Sequence, residues 1–162
     1  MPSKPIVIGC DNAAVELKNV LIGLLKEEGL AFEDVGVNNA EDQTEYPEVA
    51  RRAADKIIAS NYQKEGILVC GTGIGMSITA NKFPGIYAAV CHDNYSAERA
   101  RLSNNSNMIC MGARIIGPEL AKKVLREWLH LEFKGGRSLS KVEKIVAIEK
   151  QNYKAVAAKG SA

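Results

Sequence analysis

The sequence predicts an α/β fold of three layers, in which helices cover both faces of a five-stranded parallel sheet. Short apolar runs alternate with helical patterns along the whole chain, which is typical of repeated strand–helix units. The first of these runs, residues 6–9, is apolar at every position rather than at alternate positions. Such a run indicates a strand that is buried on both faces, as the strands of a parallel sheet are.

The other elements follow in a regular order. After the first strand, a helix with a stripe of leucines extends to about Gly29, and a weaker strand covers residues 31–36. Residues 38–46 form a polar loop before a helix that has Pro47 in its first turn. The remaining predicted strands cover residues 66–70, 86–91 and 108–111. A glycine turn at 71–75 leads into a helix to about 82, and another helix covers 95–102. A further helix begins at 117–119 and carries Leu120, Val124 and Trp128, and a final helix carries Val142, Ile145 and Val146.

Composition narrows the classes of function. Of the 162 residues, 46% are apolar and 25% are charged, which excludes wholesale disorder and fits one domain over residues 1–154 with a flexible tail at 155–162. A formal charge of +2 without a basic tract argues against nucleic-acid binding, and no apolar run approaches the ~18 residues of a membrane span. The first residues lack a signal peptide, so we expect a cytoplasmic protein. The four cysteines and two histidines fit no zinc spacing, and free thiols are expected.

Polar residues follow several of the predicted strands. Asp11 and Asn12 come after the first strand, residues 70–75 after the third, His92 after the fourth, and Arg114 near the end of the fifth. Because ligands of such folds bind at the carboxyl ends of the strands, we expect these residues to meet at one edge. The alternatives are that Asp11 caps the first helix and that His92 is an ordinary loop histidine.

The strongest local signal is the segment from Cys70 to Ser77, in which Gly71, Gly73 and Gly75 alternate between a buried strand and a helix. It matches neither a Walker loop nor a dinucleotide-binding glycine motif. Backbone N–H groups of such a turn converge on an anion. A tight turn without a ligand is the alternative.

Cys70 has a position that favours reactivity, just before the start of a helix. A free thiol has a pKa near ~8.5, which a helix N-terminus or a cation lowers. Cys70 is therefore a candidate thiolate base or nucleophile. The alternative, a small buried side chain, suits Cys10, Cys91 and Cys110 better, because no glycine turn lies beside them.

Two basic residues, Arg137 and Lys141, lie four apart at the start of the last helix, where positive charge opposes the helix dipole. A bound anion such as a phosphate explains this placement, and a solvated helix face is the alternative. Residues 104–107 read Asn-Asn-Ser-Asn, which predicts either a turn or, through Asn104, amide contacts to a polar ligand.

Several motifs occur in the order of a known family. They are residues 7–11, 45–48 (Glu-Tyr-Pro-Glu), 67–82 (with Cys-Gly-Thr-Gly-Ile-Gly and Ala-Asn-Lys), Asn104, 112–114 and 135–137. Together they resemble the type B ribose-5-phosphate isomerases, which are related to galactose-6-phosphate isomerase. The resemblance covers about residues 5–150. It implies a Rossmann-like subunit in a homodimer or tetramer, with sites at the subunit interface. It also implies isomerisation of a phosphorylated sugar through an enediolate, without a metal or other cofactor.

The resemblance also implies roles for individual residues. Cys70 is the base that moves a proton between C1 and C2, and Thr72 assists it. The other implied substrate contacts are Asp11, Asn12, Tyr46, Gly71, Gly73, Gly75, Ser77 and Asn104, and the implied phosphate ligands are Arg114, Arg137 and Lys141. Lys141 stands where the family often has arginine, which keeps the charge but loses the bidentate fork.

Two histidines of the family are missing. Asn12 stands where the family has the histidine of Gly-Ser-Asp-His, and Ser103 stands where it has the histidine that opens the sugar ring. Either His92 has taken over ring opening, or the substrate never closes a ring. A tetrose 4-phosphate has its O4 blocked, so we expect erythrose or erythrulose 4-phosphate as a candidate substrate. A non-catalytic module that binds a phosphorylated ligand or nucleotide is the alternative function, and a redox-sensing thiol protein is a weaker one.

Overall fold

The structure is a computed structural model that describes the backbone of residues 4–159 and the side chains of residues 4–154. Strands and helices alternate along the chain. The strands are β1 (Ile6–Cys10), β2 (Phe32–Asp34), β3 (Glu65–Cys70), β4 (Ala88–Val90) and β5 (Met108–Gly112), and the helices are α1 (Val15–Glu27), α2 (Tyr46–Ala59), α3 (Ile74–Ala80), α4 (Asn94–Asn104), α5 (Pro118–His130) and α6 (Leu139–Lys159), with a 3₁₀ turn at Gly136–Ser138.

The five strands form one parallel sheet in the order β2-β1-β3-β5-β4. α1, α4 and α5 pack together on one face, and α2 packs with α3 on the other. The predicted three-layer α/β/α fold is therefore confirmed. β1 and β5 are buried along their whole length, as expected from runs that are apolar at every position. β2 lies on one side of β1, whereas β3, β5 and β4 lie on the other, so the strand order changes direction between β1 and β3. The carboxyl ends of these two strands frame the crevice in which ligands of such folds bind.

Most helix boundaries agree with the sequence pattern, and the differences are in β2 and β4. The strand predicted at 31–36 is reduced to Phe32–Asp34. The predicted strand at 86–91 is reduced to Ala88–Val90, and the backbone before Ala88 bonds to side chains instead of to β5. The Tyr87 N–H donates to Oδ1 of Asn107, and the Gly85 N–H donates to Oε1 of Glu149. In α5, Val124 and Trp128 are buried as expected, whereas Leu120 is exposed.

Lys18 is a fully buried cation that ties α1 to the start of the loop before α2. Its Nζ lies 2.5 Å from the carboxylate of Asp34, 2.7 Å from the carbonyl oxygen of Val37 and 3.1 Å from Oδ1 of Asn38. Since all three ammonium protons have an acceptor, the charge is compensated within the fold. The loop that it holds leads to Tyr46.

α6 packs against α4 and leaves much of its apolar surface exposed. Val142 is buried, but Leu139, Ile145 and Ile148 are between 42% and 58% exposed. Farther along, Glu149 accepts from the Tyr87 hydroxyl, and the Tyr153 hydroxyl donates to the carbonyl oxygen of Lys82. The tail predicted at 155–162 lies outside the described side chains, and the backbone remains helical to Lys159. No helix within residues 4–159 is long and apolar enough to cross a membrane.

Candidate active site

The Cys70 thiol lies at the carboxyl end of β3 and is 4% exposed. Its Sγ accepts a hydrogen bond from the N–H of Gly73 at 3.1 Å. This bond requires the chain to turn back sharply, and Gly73 has a φ of +78°. A Cβ there would also lie 2.9 Å from the backbone of Met111, so only glycine fits. An N–H directed at the sulfur stabilises negative charge on it.

The segment that follows β5 holds the thiol turn from the side. The Ala113 N–H donates to the Cys70 carbonyl oxygen at 2.8 Å, and the Arg114 N–H donates to that of Gly71 at 3.0 Å. The Arg114 guanidinium then lies over Gly71, where a Cβ would be 3.5 Å from Nη1. The structure therefore places an exposed cation directly beside the turn that carries Cys70.

Asp11 lies at the end of β1 on the same edge. Its Oδ1 accepts from the Ala13 N–H at 3.1 Å, but Ala14 is the N-cap of α1, so Asp11 does not cap that helix directly. Burial raises the pKa of Asp11, and the Ala13 N–H and the Arg114 charge partly oppose this increase. Asn12 lines a neighbouring cavity of about 410 Å³.

Tyr46 covers the thiol turn from the start of α2. Its ring packs on Gly75, at which a Cβ would lie 2.5 Å from Cε2. Thr72 is exposed, and its Oγ1 accepts from the Ile74 N–H at 3.3 Å. At the start of α3, the Gly73 N–H thus donates to the Cys70 sulfur and the Ile74 N–H donates to the Thr72 hydroxyl. The next two N–H groups, those of Gly75 and Met76, have no acceptor within the helix.

His92 follows β4 and reaches the end of β5. Its Nε2 accepts from the Gly112 N–H at 2.8 Å, and burial lowers the pKa of the imidazole while Asp93 opposes that decrease. The ring is therefore neutral, with its proton on Nδ1. Asp93 is the N-cap of α4, where it accepts from the Ser96 N–H at 2.8 Å.

The remaining thiols and Ser77 have contacts within the fold. Burial raises the pKa of Cys10 to about 12 and that of Cys91 to about 11, and it raises the pKa of Cys110 as well. The Ser77 hydroxyl donates to the carbonyl oxygen of Ala88, and its backbone N–H donates to that of Gly73.

Within the described residues, no three His, Cys, Asp or Glu side chains converge as a metal site.

Three of the expected site residues lie at the opposite edge of the sheet. Asn104 is the last residue of α4, which begins after the carboxyl end of β4 and returns to the amino end of β5. The 3₁₀ turn that contains Arg137 contacts α4, and Gly136 of this turn lines one cavity together with Leu102 near the end of α4. Lys141 follows in the first turn of α6. Within one subunit, these three residues therefore lie at the opposite edge of the sheet from Cys70.

Sequence reasoning did not identify Gly112 as part of the site. It accommodates both the His92 ring and the thiol turn, since a Cβ there would lie 2.6 Å from the backbone of Thr72. The available signal was a glycine directly after a buried apolar strand, which often marks a close approach of two backbones.

Comparisons with known proteins identify the family and the fold. The sequence profile of the family described as Ribose/Galactose Isomerase matches residues 6–145. A D-erythrulose-4-phosphate isomerase of Pectobacterium atrosepticum is 51% identical over 90% of this chain and 95% of its own length. A ribose-5-P isomerase B of Listeria innocua is 48% identical over 91% and 98%. The structure of Clostridium thermocellum ribose-5-phosphate isomerase B superposes with a TM-score of 0.86 at 38% identity, covering 91% of this chain and 99% of that one.

Proposed function

The chain belongs to the Ribose/Galactose Isomerase family and is an aldose–ketose isomerase of phosphorylated sugars, and we propose that its preferred substrate is a tetrose 4-phosphate of the erythrulose type. The observation that carries this proposal is the hydrogen bond from the Gly112 N–H to Nε2 of His92. The lone pair that would accept a proton during ring opening is already used within the fold.

The other histidine of the chain is also engaged within the fold. Of its two histidines, His130 lies at the end of α5, where its Nε2 is 2.9 Å from Oε2 of Glu28. Ring opening needs a group that moves a proton between the ring oxygen and the anomeric hydroxyl. A tetrose 4-phosphate avoids this step, because its phosphate occupies the oxygen that would close a five-membered ring.

The proton transfer itself uses the groups around Cys70. We assign the thiolate as the base that removes a proton from one carbon of the open chain and returns it to the neighbouring carbon. The enediolate oxygen that forms between these steps faces the free N–H groups of Gly75 and Met76 and the Thr72 hydroxyl. Asp11 and Tyr46 then contact the hydroxyl groups of the sugar, with Arg114 beside the phosphate.

The remaining phosphate and sugar ligands come from a second copy of the chain. Asn104, Arg137 and Lys141 lie at the amino edge, opposite the edge that carries their own thiol turn. The exposed apolar residues Leu139 and Ile145 lie beside them on α6 and provide a surface for association. The complete site therefore forms between the carboxyl edge of one subunit and the amino edge of its partner.

Mixing two inactive variants tests the shared site. Cys70→Ala and Arg137→Ala place their defects in different halves of each site, so a mixed dimer contains one site with both changes and one intact site. Random reassociation of equal amounts should restore about a quarter of the wild-type activity. If each site uses one chain only, the mixture stays inactive.

Kinetics on a panel of sugar phosphates tests the substrate. We expect kcat/KM for D-erythrulose 4-phosphate to exceed that for ribose 5-phosphate by about tenfold or more, about 1.4 kcal/mol in transition-state binding. Faster turnover of ribose 5-phosphate would show that the preference is wrong. Cys70→Ala should abolish turnover while a substrate still raises the melting temperature, whereas a non-catalytic binding module would have no turnover to lose.

A gain-of-function variant makes this test sharper. Ser103→His returns a histidine to the position at which the family resemblance expects the ring-opening residue. It should raise turnover of ribose 5-phosphate and leave turnover of the tetrose phosphate nearly unchanged, because only the cyclic substrate needs that step. The control is Ser140→His, which adds a histidine at the exposed start of α6. Ser106 lies nearer to Ser103, but its side chain is buried and a histidine would not fit there.

A further inference from the structure

We propose that His92 is a positioning residue: as the neutral Nδ1–H tautomer it fixes the end of β5 and, through it, the thiol turn and Arg114. This inference rests on the proposed function for its kinetic readout. It assigns His92 a role through the backbone instead of contact with the reacting atoms.

The contacts form a continuous path from the ring to the cation. His92 accepts from the Gly112 N–H at 2.8 Å, and Gly112 is packed so closely on Thr72 that a Cβ between them would lie 2.6 Å from its backbone. The next two residues, Ala113 and Arg114, donate their N–H groups to the thiol turn. A displacement of Gly112 would therefore move both the turn and the guanidinium.

The edge position of β4 explains why this contact is needed. β5 is paired on one side with β3 along its length, but β4 ends at Val90, opposite Cys110. The Cys91 N–H still donates to the Cys110 carbonyl oxygen at 3.0 Å, and beyond it no β4 backbone pairs with Gly112. The His92 side chain continues the ladder by one bond, at the residue where β5 turns into the site.

The charge state of the ring decides whether this bond exists. Burial lowers the pKa of His92, and the negative charge of Asp93 partly opposes this decrease. The Asp93 carboxylate is itself engaged by the N–H and hydroxyl of Ser96. Protonation of Nε2 would place two N–H groups against each other and release Gly112.

The direction of the pH effect follows from this lowered pKa. The native state binds the proton less readily than the unfolded chain, so the bond is complete above the ordinary histidine range and is lost as the pH falls through the native pKa. Activity should therefore have an acid limb with a midpoint below the ordinary value for histidine. The decrease at low pH should appear mainly in kcat, because misplacement of the turn affects the transition state more than substrate binding.

Two substitutions separate positioning from proton transfer. His92→Gln places an amide oxygen near the position of Nε2, which accepts from Gly112 but does not titrate. We expect His92→Gln to keep kcat within about threefold and to lose the part of the acid limb whose midpoint matches the imidazole pKa measured by nuclear magnetic resonance. His92→Ala should lose about tenfold or more in kcat at all pH values. Equal losses in both variants, or a limb at the imidazole midpoint that persists in His92→Gln, would overturn the inference.

Nuclear magnetic resonance provides a readout that is independent of turnover. In the full-length wild-type protein, the imidazole nitrogen shifts should identify Nδ1–H, and the Gly112 amide shift should titrate together with the ring. A proton on Nε2 at neutral pH would overturn the inference. If the wild type instead shows this tautomer but does not isomerise a tetrose phosphate, the substrate proposal fails and the hydrogen-bond assignment stands.

Discussion

Substituting Gly75 by alanine should separate the activity of this protein from its stability. Gly75 lies in the first turn of α3, with the Tyr46 ring packed against it. A Cβ at this position would be 2.5 Å from Cε2 and 2.7 Å from Cζ of that ring. Carbon atoms pack at about 3.5–4.0 Å, so the ring would have to move by about 1 Å.

The displacement has different effects on the two properties. Tyr46 is 41% exposed, so its ring can move outward with little loss of buried surface. Alanine is also up to about 1 kcal/mol more favourable than glycine within a helix, so the free energy of unfolding should change by no more than about 1 kcal/mol. A shift of about 1 Å in a group that positions substrate can reduce kcat/KM by about a hundredfold, or about 2.7 kcal/mol.

Urea denaturation and initial-rate kinetics measure the two effects separately. Gly23→Ala is the matched control, because Gly23 lies inside α1 with no atom within 4 Å of its Cβ position. It should be slightly more stable than the wild type and fully active. A double-mutant cycle with Tyr46→Ala completes the design, since Gly75→Ala should have little further effect once the ring is absent. Full activity of Gly75→Ala, or the same loss with and without the Tyr46 ring, would refute this reasoning.

Three further substitutions test the supports of the site. Lys18→Met should lower the free energy of unfolding in urea by about 3 kcal/mol, because it leaves the Asp34 carboxylate and two other acceptors without their partner. Glu149→Ala should lower it by about 1–2 kcal/mol and increase hydrogen exchange in α6, because the Tyr87 hydroxyl and a backbone N–H lose their acceptor. Gly73→Ala should both inactivate the protein and lower its melting temperature, since the φ of +78° alone costs about 1–2 kcal/mol with a side chain.

Much of the fold could be predicted from local patterns. Runs such as residues 6–10 are apolar at every position because both faces of the strand are covered, and this property is visible without any partner. β4 was predicted too long because its limits depend on distant groups. The side chains of Asn107 and Glu149 compete for the backbone before Ala88, and no local pattern reveals that competition.

The candidate site was predictable only in part. The sequence places Asp11, Cys70 and Arg114 at or just after the ends of three predicted strands, and parallel pairing brings such positions to one edge. The packing of Tyr46 on Gly75 was not predictable, since it depends on how α2 and α3 lie against each other. The roles of these residues in catalysis remain predictions, which the substitutions above test.

By itself the sequence determined the layered α/β fold, the edge at which its polar strand ends meet, and the sulfur at the glycine turn, because periodicity and turn chemistry are local properties. Only the tertiary structure decided that the His92 ring accepts a backbone N–H, and that Arg137 and Lys141 lie at the far edge from Cys70. These outcomes depend on the register of nonadjacent segments and the direction of the returning helices. Packing of the whole chain sets both.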